Sequence, residues 1–529
     1  MAIIGTDILT SIRTNMSGRF GWRQTIVFLI TFGIFLFLCL YTLNLGMRGK
    51  RITRRAAPNA AATARADIVD RNGGILAKTT YSFDLSANAL QIKDMDKVAN
   101  FIHSVFPDMS AAQILNKLEK TESGRGDIKL GENIGKEKAA KIRAERIEGL
   151  IVKSNPTREY PMHNSISHIV GYVNKDGIGV DGVERMANER LAAGGHPLVL
   201  SIDSRIQSVV WTELSAAIKE YEAKAAMGIL MNARTGEILA AVSLPDFDPE
   251  NIGAYKKDSW RFRILRDNYE MGSIFKIFNT ALALIHGIPI TKTFNILDPF
   301  PVGGGKIDEA RGFAPPAKNL NVAQIMQYSS NRGSAQIALA LPDGAQIDFF
   351  RALKFGSKIE TNFGATDVKA LPTSHTPTDR SRWAFGQGIS TTPLHALLAA
   401  NAIVNDGKYI MPTIYRRDFI PQTEQIAPRE VSGQIRKIML KVMDTSGRAA
   451  AMMIRNMNIG GKTSTAQKWI DGKYSDTRNL AAFFATFPIE APKWSMLVIF
   501  DEPMKHPRTA AYNAVPAAGR ILDAIIPLL

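Results

Sequence analysis

At 529 residues the chain is too long for a single compact core, and with 45% of its residues apolar it suits an anchor followed by two or three well-packed domains. A formal net charge of +16 asks for an anionic neighbour, whether nucleic acid, acidic lipid or a wall polymer. No nucleic-acid-binding motif accompanies that charge and the basic residues are spread along the chain, which argues against DNA or RNA as a partner.

From Ile26 to Leu45 the run IVFLITFGIFLFLCLYTLNL carries no charge. About 20 such residues span the bilayer hydrocarbon as a helix, and the run is too long for the apolar region of a cleaved signal peptide. An uncleaved anchor over residues 26–46 is therefore expected, preceded by a short segment, 1–25. The only cysteine, Cys39, lies inside it, so nothing downstream can form an intramolecular disulfide. Arg13, Arg19 and Arg23 precede the run and Arg48, Lys50, Arg51, Arg54 and Arg55 follow it. Counted alone, these charges put the large C-terminal part in the cytoplasm.

Residues 47–64, rich in Ala and Arg, read as a linker. In Asp67 to Ala77, β-branched residues surround Asn72-Gly73, a favoured hairpin pair. Helices are expected over Ala111 to Lys120 and Lys136 to Ile147, separated by SGRGD. An extended run is expected from His168 to Val173, then the turn GIGVDG and a polar helix, VERMANERL. Together these make a strand-rich pedestal, 65–204, with a helical insert. From 205 to 529 helices mix with strands: MGILMN, GEILAAVS and WSMLVIF read as strands, and IFKIFNTALALI, VAQIMQ and GSAQIALAL as helices. The expected class is α/β (α+β), with an antiparallel sheet flanked by helices and much of that sheet supplied by the two ends of the domain.

Ser273-Ile-Phe-Lys276 sits at the start of a helix that is apolar nearly all round, which implies burial. Ser and Lys three apart share a helical face. The helix N-terminus favours negative charge developing nearby. A lysine enclosed by Ile274, Phe275 and Ile277 should lose its proton more easily than usual and could take one from the serine. Alone, S-x-x-K is weak: an N-cap serine followed by a snorkelling lysine gives the same letters. Its company strengthens it, because Ser329-Ser330-Asn331 and then Lys462-Thr463-Ser464-Thr465, after two glycines, follow in order.

Gly177-Ile-Gly179-Val-Asp-Gly182, with Asp203 about 20 residues on, imitates a dinucleotide-binding turn. A polar turn, Asn174-Lys175-Asp176, separates it from the preceding strand, and Asp181 and Glu184 would repel a pyrophosphate. A structural turn is the better reading, and no cofactor is expected. The eight histidines form no H-E-x-x-H and only His163 and His168 are close in sequence, so no metal site is expected. There is no G-x-S-x-G elbow.

The three motifs together match the set shared by penicillin-binding proteins and class A β-lactamases. With RADIVDRNGGILA, REYP, HIVGYVNKDGIGVDGVE, SIDSRIQ, GEILAAVSLPDFDP, GQGISTTPLH and FDEP, the chain resembles class B penicillin-binding proteins from the anchor to the C-terminus. YEMGSIFK and TAAYNAVPAAGRILDAIIPLL look most like the division-specific, septum-building members. The resemblance implies a peptidoglycan D,D-transpeptidase, inhibited by β-lactams, anchored by one helix in the inner membrane with its catalytic domain periplasmic. That overrides the charge count. Ser273 would be the acylated nucleophile and Lys276 its base. Ser329 would relay a proton to the leaving group, and Asn331 would hold the substrate amide. Lys462 would supply positive potential to the relay and to the donor's carboxylate, on a strand lined by Thr463 and Thr465. The backbone N–H groups of Ser273 and Thr465 would form an oxyanion hole.

The implied partners are stem peptides ending in D-Ala-D-Ala, β-lactams, the membrane, and a multi-span septal glycosyltransferase with other division proteins. Ser464 stands where the family has glycine, which touches the substrate pocket. Phe262 replaces the asparagine of an N-R-A triplet, and Glu250 the asparagine after F-D-P. The rival within enzymes is a hydrolase on the same fold, a β-lactamase or a D,D-carboxypeptidase, and the anchor and pedestal argue against a free β-lactamase. The alternative from another class is a weakly active or noncatalytic division scaffold or β-lactam sensor on the same fold.

Overall fold

The computed structural model describes residues 22–49, 64–119, 127–310, 313, 315–445 and 458–529. The N-terminal segment before Trp22, the linker over 50–63 and most of SGRGD lie outside the described residues. The chain divides into two units after residue 63.

In the first unit, Trp22–Gly49 forms a helix, α1. With no proline in it, every internal turn can close, and two described hydroxyls fold back onto it. Thr31 and Thr42 donate to the carbonyls of Val27 and Leu38 at 2.7 and 2.8 Å. Its apolar side chains stand exposed, Phe28 at 68% and Phe37 at 67%. Among the described residues no helix is long and apolar enough to cross a membrane.

The second unit starts with the hairpin read around Asn72-Gly73. β1 (Ile68–Val69) pairs antiparallel with β2 (Ile75–Asn88). Asp70 closes the turn by accepting the N–H groups of Asn72 and Gly74 at 2.8 and 2.7 Å. Three helices, not two, cover the far half of β2: α2 (Met95–Val105), α3 (Ala111–Glu119) and, after β3 (Asp127–Ile134), α4 (Lys136–Ala144). They close a separate core around Leu85, Ile102, Ile114 and Leu118. β4 (Leu150–Glu159) returns along β2, from Ala87↔Leu150 to Lys78↔Glu159.

The run expected to be extended from His168 is instead one helical turn, Ser167–Val170, with all four residues buried. A short apolar run cannot be told from a strand by periodicity, and here the core receives it on every side. The single polar helix expected next is broken at Ala187 into Gly182–Met186 and Asn188–Ala192. The dinucleotide-like turn is architecture. A Cβ on Gly179 would lie 1.9 Å from the Glu184 carbonyl oxygen, so two backbone segments touch where a phosphate would need room.

β5 (Leu198–Val199) pairs parallel with β1 and leads to α5 (Ser204–Glu220). Asp70 reaches across and accepts from the Ser204 hydroxyl and N–H at 2.6 and 3.0 Å, tying the pedestal turn to that helix start. Then come β6 (Ala225–Asn232) and β7 (Ile238–Leu244), α6 (Phe275–Ile285), α7 (Val322–Tyr328), α8 (Asn331–Leu339), α9 (Pro393–Val404) and α10 (Arg429–Thr445). The chain closes with β8 (Gly460–Ile470), β9 (Lys473–Phe487), β10 (Trp494–Asp501) and α11 (Ala514–Ile525).

The antiparallel sheet runs β8-β9-β10-β6-β7, built from the two ends of the domain as expected. β6, β7, β10 and the second half of β9 read as near-continuous apolar runs because both faces are covered. Ala226, Leu230 and Phe483 join α5 and α11 in one core. Met227, Ile229 and Phe484 meet α6 and α9 in the other. The alternation is the period of two of a pleated strand. β8 lies at the sheet's edge, beside the turn that carries Ser273.

Candidate active site

Ser273 stands one step ahead of the helix expected to carry it. Gly272–Ile274 form a tight 3₁₀ turn and α6 begins at Phe275. Gly272 has φ +51°, and a Cβ there would fall 2.5 Å from Ser464 Oγ and 2.9 Å from Ala466 Cβ, so only glycine lets the turn lie this close to β8. The aromatic cluster of Phe275, Phe278, Phe350 and Phe355 packs this helix start on one side. This leaves Lys276 1% exposed.

The Ser329-Ser330-Asn331 corner links α7 to α8. Ser329 ends α7 in the left-handed region at φ +63°, a conformation non-glycine residues hold only when their surroundings enforce it. Ser330 caps α8 by accepting the Gly333 N–H at 2.9 Å. Lys276 Nζ lies 2.6 Å from the Ser329 carbonyl and 2.7 Å from Asn331 Oδ1, which can only accept. Ser273 Oγ at 3.0 Å and Ser329 Oγ at 3.1 Å complete its surroundings. A neutral amine gives its two protons to the two carbonyl oxygens and keeps a lone pair for the hydroxyls.

Lys462 Nζ donates to Ser329 Oγ at 3.0 Å and to the Thr463 carbonyl at 3.1 Å. Ser329 Oγ in turn donates to Ser273 Oγ at 3.1 Å. One hydroxyl therefore touches Ser273 and both lysines. Burial, then the nearby Lys462 charge, pull the Lys276 amine well below its usual basicity, while Glu309 opposes them. Lys462 does not lie open to solvent, although two glycines precede it. It too is 1% exposed, enclosed beneath the cleft because even-numbered residues of β8 point inward, and burial draws its pKa down to about 7.

The same alternation moves Ser464. Its side chain does not face the cleft: it is buried and donates to the Met271 carbonyl at 2.8 Å, two residues before the nucleophile. Thr463 is half-buried and Thr465 exposed on the opposite face, with Thr465 Oγ1 accepting the Ala510 N–H at 3.0 Å. Asn331 has both amide ends engaged within the protein, Oδ1 on Lys276 and Nδ2 on the Asp308 carbonyl at 3.2 Å.

Two acidic residues escape a reading by motif. Glu309 accepts from the Ser330 hydroxyl and from the N–H groups of Asn331 and Arg332 at 2.6 and 3.2 Å. Glu270 accepts from the Gly388 N–H and from Tyr474 Oη, both at 3.1 Å, and burial raises its pKa. The signal available for Glu270 was its place three residues before Ser273. For Glu309 there was none. Among the described residues no group of His, Cys, Asp and Glu is arranged to hold a metal ion.

A serine hydroxyl, a desolvated amine and a second lysine joined through one serine are the groups that serine acyl transfer needs. The penicillin binding protein transpeptidase domain family matches residues 226–526, and the penicillin-binding protein dimerisation domain family matches 60–194. The chain belongs to the penicillin-binding protein transpeptidase family, and the pairing with a dimerisation domain makes it a class B member. It is similar to a probable peptidoglycan D,D-transpeptidase FtsI of Caulobacter vibrioides, 30% identical over 88% of this chain and 81% of that protein. It is also similar to a probable peptidoglycan D,D-transpeptidase PenA of Neisseria gonorrhoeae, 26% identical over 95% and 90%. In fold it matches penicillin-binding protein 2X of Streptococcus thermophilus at TM-score 0.77 and 21% identity, over 88% of this chain and 80% of that one.

Proposed function

We propose that Ser273 is the acylated nucleophile of a peptidoglycan D,D-transpeptidase. The observation that carries this is the unbroken hydrogen-bonded path from Lys462 through Ser329 to Ser273 and Lys276. Lys276, neutral, takes the Ser273 proton as Oγ attacks the carbonyl of the penultimate D-Ala of a donor stem peptide. The negative charge that forms on that oxygen is met by the N–H groups of Ser273 and Thr465. When the C–N bond breaks, the terminal D-Ala leaves with a proton relayed through Ser329, and Lys462 holds the relay and the donor's carboxylate in a positive field. The amine of a second stem peptide then attacks the ester, which forms the cross-link and returns Ser273. A β-lactam enters the same first step and stays.

Asn331 first positions Lys276, and its amide turns to the substrate only by giving up the Asp308 carbonyl. Thr463 and Thr465 line the edge strand along which the donor peptide lies extended. Ser464 contributes through its main chain, and its side chain serves the nucleophile turn.

The finer architecture belongs to the same reading: a cytoplasmic segment 1–25, an anchor 26–46, a linker 47–64, a pedestal 65–204 and a catalytic domain 205–529. The exposed apolar side chains of α1 support a single-pass anchor in the inner membrane, with the catalytic domain periplasmic, where the wall is. A reporter active only after export, fused after Leu529, reads its side. The work is septal, with glycan strands supplied by a multi-span glycosyltransferase among other division proteins.

The reading is tested by treating the full-length protein with penicillin and mapping the adduct by mass spectrometry. One adduct is expected, on Ser273, and Ser273→Ala should lose labelling while remaining folded. Undiminished labelling of that variant would overturn the assignment.

A further inference from the structure

We infer that Glu309 is a positioning residue for the acylation step: its carboxylate clamps the Ser329-Ser330-Asn331 corner and places a negative charge near Lys276. The inference rests on the reading of Ser273 and Lys276 given above.

The geometry is compact. Glu309 precedes α7 by a dozen residues, in the loop after the Gly305–Ile307 strand, yet its carboxylate reaches the first turn of α8. One oxygen takes the Ser330 hydroxyl and the Arg332 N–H, and the other takes the Asn331 N–H. With Ser330 Oγ accepting from Gly333, the first three N–H groups of α8 are all filled. A carboxylate is the favoured charge at that end of a helix.

The clamped residues are the ones that hold the base. Asn331 presents Oδ1 to Lys276 Nζ at 2.7 Å, and Ser329 presents its carbonyl and its hydroxyl. If the corner loosens, the two oxygens that take the amine's protons move, and the lone pair no longer aims at Ser273.

The second effect is electrostatic. The charged groups that face Lys276 are Lys462 from β8, which lowers its affinity for a proton, and Glu309, which raises it. The neighbouring Asp308 is turned to Lys306 and Arg332, at 3.5 and 3.4 Å. The donors that meet Glu309 are all neutral groups, so its charge still acts on Lys276. Glu309 thus opposes Lys462 and keeps the amine a strong enough base to take the serine proton.

The test is the pH profile of penicillin acylation by the full-length protein in detergent, measured for Glu309→Gln, Glu309→Asp and Ser330→Ala. Glu309→Gln removes the charge and should move the acid limb about one pH unit lower, tenfold in neutral amine at a fixed acid pH. It should also lower the plateau. Glu309→Asp keeps the charge and should leave the limb in place. Ser330→Ala loosens the same corner without changing charge, and should lower the plateau alone. A Glu309→Gln limb coincident with the natural one, or an equal shift in Ser330→Ala, overturns the electrostatic part. An unchanged plateau in Glu309→Gln overturns the clamp. If Ser273 is not acylated in the natural protein, the functional reading itself has failed, and that outcome is distinct from the others.

Discussion

In the pedestal, Glu184 has no exposed side-chain surface and lies between two guanidiniums, Arg65 at 2.6 Å and Arg158 at 2.7 Å. In the catalytic cleft, Lys276 and Lys462 are buried as deeply, and neither makes an ion pair among the described residues. The pedestal cluster places opposite charges together, with arginines that do not shed their protons. Its role is to lock the residues before β1, the end of β4 and the turn at 182–184 in one geometry. The cleft places like charges together behind one serine, and the protein relieves the cost by letting a proton go. Ion-paired burial builds the scaffold, and burial without an ion pair lowers the basicity of Lys276.

The largest test of that contrast is Lys276→Arg. A guanidinium stays protonated near neutral pH, so the base is lost although charge and approximate size are kept. Acylation by fluorescent penicillin should fall by about a thousandfold, within the range that general-base removal spans. A loss under tenfold would show that Lys276 does not take the proton.

Next come the two clusters' opposite effects on stability. Glu184→Ala leaves two buried guanidiniums facing each other and should destabilise the fold by about 3–5 kcal/mol, while the molecules that remain folded keep their acylation rate. Lys462→Met should do the reverse, losing acylation without loss of the thermal unfolding midpoint. The sign with pH follows from burial. The Lys462 pKa is near 7 when folded and 10.5 ordinarily, so the unfolded chain binds the extra proton between those values. The burial penalty is complete below about pH 7 and fades as pH rises toward 10.5. The natural protein should therefore gain midpoint relative to Lys462→Met across that window, and a difference that does not change with pH would remove the argument.

What was legible in the sequence follows from which signals are local. Ser273, Lys276 and the Ser-Ser-Asn corner could be singled out because each motif is short and its order is fixed, and the structure brings them together. β6, β7 and β10 are recovered because strands covered on both faces read as unbroken apolar runs, as WSMLVIF does, whereas β9, whose first half is polar, was not read. α2 was missed although Val98, Ile102 and Val105 keep a helical spacing, since its apolar stripe is narrow and charged residues interrupt it. The burial of Lys462 and the inward turn of Ser464 depend on which way β8 faces, and that is set by pairing with β9 at Lys462↔Phe484 and Ser464↔Ala482. Glu309 was invisible because its partners are backbone N–H groups 22 and 23 residues on.

The smallest expected effect belongs to Ser464, and it separates scaffold from chemistry within one residue. Its side chain points away from the cleft and joins β8 to the nucleophile turn through the Met271 carbonyl. Removing that hydroxyl should cost about 1 kcal/mol of local stability, the net value of a typical hydrogen bond. Glycine adds backbone freedom in a strand edge that must hold the substrate. Neither change alters the base, the relay or the Thr465 N–H. Ser464→Gly and Ser464→Ala should therefore change the acylation rate by no more than about tenfold, which is roughly 1.4 kcal/mol of barrier. Since the natural contact holds the turn in place, both variants should be slower, and Ser464→Ala the less so because it keeps a stiff strand. Stopped-flow acylation of the full-length protein decides it. A gain of about a thousandfold in Ser464→Gly would mean that the serine holds Ser273 away from its productive position, and the weakly active scaffold would become the better description of this chain.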